Sequence, residues 1–92
     1  MTTLDSLGTM AADLAMRSFA EFARQQNRRL NDAEIDQAIA ILRRTVKDAV
    51  GPALDDARKA FDANMHQAAD ATFRASMVQA GIRSAKEFFQ VS

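Results

Sequence analysis

The sequence predicts an all-α fold: a three-helix antiparallel bundle whose C-terminal helix is long and carries a heptad pattern. Three observations predict it. Leu54, Phe61, Ala68, Ala75, Ile82 and Phe89 recur every seven residues, the spacing of an apolar seam pressed against another helix. Asn31-Asp32-Ala33-Glu34 and Gly51-Pro52 punctuate the chain. The first reads as a capping box, the second as a glycine closing one helix and a proline opening the next. Alanine supplies 19 of the 92 residues, which favours helix and permits helices to approach closely.

The first predicted helix runs from about residue 4 to 29. Leu7, Met10, Leu14 and Phe22 line one side, and Met16, Phe19 and Ala23 extend the apolar arc past half the circumference. Its polar remainder is a ladder of Asp13, Arg17, Glu21 and Arg24 at i,i+3 and i,i+4 spacing. A helix so widely apolar needs more than one neighbour.

The second predicted helix spans about 32 to 50. Ile35, Ile39, Leu42, Val46 and Ala49 form its stripe, with Ile41 off it. It opens on Asp32, Glu34 and Asp36 and closes on Arg43, Arg44 and Lys47, a distribution that complements the helix dipole.

The third predicted helix spans about 52 to 90 and opens on Asp55 and Asp56. The change from basic to acidic across Gly51-Pro52 supports a break there. Gly81 has no such change, and the seven-residue row passes it in register, so the helix is expected to continue. Ser84-Ala85-Lys86-Glu87 nevertheless fits a capping box, which keeps a four-helix bundle broken at Gly81 as the alternative. At 1.5 Å per residue this helix would reach about 58 Å, against about 39 and 28 Å for the others. Its overhang would carry Val78, Ile82, Phe88 and Phe89, and a second copy is the simplest cover.

The whole chain, 1–92, reads as a single helical domain. Twelve basic and twelve acidic residues cancel, which removes any global attraction to nucleic acid or anionic membrane. Without cysteine there is no disulfide framework and no thiolate metal cluster. The N-terminal residues lack the pattern of a secretory signal, and no apolar run approaches 18 residues. The chain is expected to be cytoplasmic and, from its nine arginines against three lysines, bacterial.

Candidate chemistry is sparse. His66 stands between Asp62 and Asp70 at i±4, a row that could hold a divalent cation weakly; an exposed histidine on a polar face explains it as well. Arg28, Arg29, Arg43, Arg44 and Lys47 are the candidate nucleic-acid contacts, though helix C-termini favour bases without any ligand. No nucleophile-base pair, phosphate loop or His-Glu metal motif is present. No enzyme activity, metal or cofactor is expected.

The function expected is a class: a non-catalytic, homodimeric helical module that binds protein and acts as a regulator, adaptor or assembly factor. Its expected partners are itself and another protein, with neither nucleic acid nor membrane. Leu54, Phe61, Val78, Ile82, Phe88 and Phe89 are the expected contact residues, while Leu14, Phe19 and Phe22 serve as core or partner surface. The alternatives are a nucleic-acid-binding accessory protein and a subunit of a larger helical or secretion assembly.

Overall fold

A computed structural model describes residues 4–90, with side chains from residue 10 onward, so the expected place of the Leu7 side chain lies outside the described residues. Three helices follow one another: α1 (Leu4–Gln25), α2 (Asp32–Asp62) and α3 (His66–Phe89). They pack as an up-down-up bundle measuring 45 × 23 × 20 Å. The α2–α3 interface is the most extensive, α1–α3 comes next, and α1–α2 is the smallest.

The three-helix antiparallel bundle matches the expected fold class, but the long helix is the second one. Residues 52–90 do not form one helix. α2 continues through Gly51 and Pro52, and the chain reverses at Ala63-Asn64-Met65. Proline inside a helix forfeits one backbone hydrogen bond and costs about 3 kcal/mol. Two features offset this.

Gly51 precedes it, so no Cβ clashes with the proline ring in the helical conformation, and both residues face solvent. The apolar stripe also runs through the site without a phase shift: Ala38, Leu42, Val46, Ala49, Ala53, Ala57 and Ala60 repeat spacings of four, four and three. Leu42, Ala53 and Ala57 are buried, and Val46, Ala49 and Ala60 are partly buried against the core. Packing on both sides of Pro52 holds α2 in one piece.

The turn after α2 is a Schellman motif. Asn64 adopts the left-handed conformation (φ 62°), and the N–H groups of Asn64 and Met65 donate to the carbonyls of Phe61 (2.9 Å) and Ala60 (2.8 Å). Asn27 is likewise left-handed, at φ 52°, and its N–H donates to the Arg24 carbonyl at 3.2 Å, so α1 stops at Gln25 and not near residue 29. At the start of α2 the expected capping box is present. Glu34 N–H donates to Asn31 Oδ1 at 2.8 Å, and Asn31 N–H donates to Glu34 Oε1 at 3.2 Å.

The core divides along the bundle. Toward the α2–α3 turn, Phe73 and Met77 are fully buried among Ala11, Ala53, Ala57 and Ala69. Toward the α1–α2 loop, Phe19, Leu42, Ala15, Ala38 and Ala85 are buried, with Phe22, Phe88 and Phe89 packed against them. Phe19 meets Phe88 and Phe89 at centroid distances of 6.1 and 6.2 Å.

On α3 the buried row is Ala69, Phe73, Met77, Ala80 and Ser84. The seven-residue row therefore is not the seam: it crosses a turn after Phe61, and Ala75 is exposed.

Helix α3 continues through Gly81 as expected, for a reason the heptad row does not supply. A Cβ at Gly81 would lie 2.3 Å from the Ala15 carbonyl oxygen and 2.7 Å from Ser18 Cβ. α1 and α3 approach closely at Gly81. Beside it, the Ser18 hydroxyl donates to the Val78 carbonyl across the interface at 2.8 Å. Ser84, buried, donates to the Ala80 carbonyl within its own helix at 2.8 Å, so Ser84 caps nothing and opens no fourth helix.

Candidate functional site

The small α1–α2 interface leaves an apolar groove of about 320 Å3. From α1 it takes Met16, Phe19, Ala20 and Ala23. From the opposing stretch of α2 it takes Ile35, Ala38, Ile39 and Leu42, and Leu30 closes the end at the loop. Every lining residue is apolar. Phe19, Ala38 and Leu42 form the buried floor, while Met16 is 51% and Ile35 42% exposed on the two walls.

The sequence explains the opening. Ile35, Ile39 and Met16 are too bulky for the close approach that Gly81, Ala15 and Ser18 allow on the other side of α1. The two helices stay apart, and their larger side chains are covered on one flank only.

A second groove, of about 390 Å3, lies between α1 and α3. Leu14, Ser18, Phe22, Val78 and Ile82 line it, with the polar Arg17, Glu21 and Gln25 at its edge. It contains two of the expected contact residues: Val78, at the margin of exposure (36%), and Ile82, half-buried. The remaining four do not join them. Leu54 and Phe61 pack against the core near the α2–α3 turn, whereas Phe88 and Phe89 pack against the core at the opposite end. The six residues thus fall into three separate places, because the helix that was to align them is interrupted at residues 63–65.

The His66 ring stacks on Phe61 at 4.8 Å, and Asp70 accepts from Arg74 Nε at 2.9 Å. Among the described residues no group of three or more His, Cys, Asp or Glu side chains could hold a metal ion.

Of the five basic candidates, Arg28 pairs with Glu34 and lies over the Phe89 ring at 5.8 Å, and Arg44 pairs with Glu87 at 2.6 Å. A cleft between α2 and α3 near Pro52 brings Arg44 and Arg83 together with Asp48 and Asp56, so its charges offset. No helix among the described residues is long and apolar enough to cross a membrane.

Ile35 and Ile39 belong to the apolar stripe of their helix, and nothing local in the sequence separates them, as groove wall, from Leu42 below. The signal that points to the groove is the first helix itself, apolar over more of its surface than two neighbours cover. No family model, characterised protein or solved structure is found to match this chain.

Proposed function

We propose that this chain is a non-catalytic helical protein-interaction module, a regulator, adaptor or assembly factor, whose α1–α2 groove receives apolar helical surface. One observation carries the reading. Nine apolar residues with no charge among them form a concave strip between two helices, and Met16 and Ile35 stand exposed on its walls. A groove of this kind recognises the apolar face of an amphipathic helix, through anchors repeating at i, i+3/i+4 and i+7. Methionine suits such a surface because its unbranched thioether adapts to different shapes.

The test is capture from a lysate of the source cells with immobilised wild-type chain, Ile35→Glu and Met16→Glu, each verified as helical by circular dichroism. Proteins retained by wild type and lost from both variants support the module. Identical retention by all three contradicts it.

A further inference from the structure

We infer that the occupant of the α1–α2 groove is a second copy of this chain, paired through a two-fold axis lying in the groove face. The inference rests on the interaction-module reading above and names the partner of the same surface. The argument starts from the groove's rim. One helical turn from Met16 and Ala20, the outer shoulder of α1 carries Asp13 at one end, where Arg17 pairs with it at 3.2 Å, and Arg24, paired with Glu21, at the other. One turn from Ile35 and Ile39, α2 carries Asp32 and Asp36 at the loop end and Arg43 at the far end.

Because α1 and α2 are antiparallel, the loop end of the rim holds Arg24 beside Asp32 and Asp36, and the far end holds Asp13 beside Arg43. All five are exposed. The rim is therefore complementary to itself. A two-fold axis along the helices sets α1 against the partner's α2, so Asp13 faces Arg43 and Arg24 faces the two aspartates. A two-fold axis across the helices sets α1 against the partner's α1, so Asp13 faces Arg24 and Arg43 faces the two aspartates. A partner of one charge sign would face repulsion at one end of either helix.

Two further quantities agree. Formal net charge is zero, so copies approach without mutual repulsion. A standard interface covers about 800 Å2 per partner, roughly an eighth of this chain's 6217 Å2. A face two helices wide and the length of α1, about 20 by 33 Å, presents about 660 Å2 in projection before its corrugation is counted. The product is a four-helix layer in which Met16 and Ile35 of both copies are covered.

Sedimentation velocity of the full chain from about 5 μM to 1 mM tests this. Wild type should dimerise, Ile35→Glu should weaken the dimer at least tenfold, and Asp13→Arg should weaken it severalfold. Restoration of Asp13→Arg by Arg43→Asp identifies the axis along the helices, and restoration by Arg24→Asp the axis across them; either supports the pairing. A wild type that stays monomeric at 1 mM overturns it, as does a dimer indifferent to Ile35→Glu, or an Asp13→Arg defect that neither second change repairs. Monomeric wild type that still loses its captured proteins on Ile35→Glu would remove self-pairing and leave the module reading intact. Circular dichroism of each variant separates lost association from lost folding.

Discussion

The two flanks of α1 are built on opposite principles. Toward α3, small residues meet at Gly81, which Ala15 and Ser18 face so closely that even a methyl group would overlap the Ala15 carbonyl, and aromatic rings fill the seam nearer the α1–α2 loop. Toward α2, large residues meet: Met16 and Ile35 stand apart above Phe19 and Leu42, and the space between them is open. Close-packed interiors tolerate little change in volume, so the first flank is fixed by what is missing from its side chains. The second keeps apolar surface that its own chain does not cover. The same helix thus supplies a structural seam on one side and a binding surface on the other.

The strongest way to break this comparison is at Gly81. Gly81→Ala should destabilise the fold by about 2–3 kcal/mol, since overpacking against backbone outweighs the gain of about 1 kcal/mol in helix propensity. Thermal unfolding should show a midpoint lowered by about 10–20 °C. An unchanged midpoint would mean that α1 and α3 are farther apart than described.

A change of the opposite sign tests the wall that α2 gives the groove. Pro52→Ala should stabilise by about 1–2 kcal/mol in urea titration, because the restored helical hydrogen bond and the relieved ring clash outweigh the added freedom of the unfolded chain. Loss of stability would instead show that Pro52 begins a separate helix.

Smaller effects sharpen the contrast. Ser18→Ala removes the hydrogen bond to the Val78 carbonyl and should cost about 1 kcal/mol in the same titration. Ile35→Glu, on the open flank, should change the stability of the monomer by no more than about 0.5 kcal/mol when measured at low micromolar concentration. A cost near that of Gly81→Ala would place Ile35 in a closed seam and remove the groove.

Much of the fold was legible where local chemistry and packing agree. The Asn31-Glu34 capping box begins α2 in the expected way. Continuity through Gly81 also holds, although the close approach of α1 that explains it is a tertiary fact. The boundary between the second and third helices was misplaced because Gly51-Pro52 is the loudest local signal in the chain, and packing overrides it. The quieter signal was a stripe from Ala38 to Ala60 that never loses phase. The true turn is marked by Asn64 alone, a residue that accepts the left-handed conformation.

Ending the helix at residues 63–65 removes the overhang expected to carry Val78, Ile82, Phe88 and Phe89 and separates Leu54 and Phe61 from them. The groove was legible only in part. The excess apolar surface of α1 was visible in sequence, but which flank stays open depends on how closely the other one packs.

The most direct measurement follows methyl groups by NMR as the concentration of the chain is raised. The account predicts that the Met16, Ile35 and Ile39 methyl signals shift together, while Met77 and Ile82 hold still. Movement of Ile82 and Val78 with Met16 and Ile35 unmoved would contradict it, and would place the association face between α1 and α3.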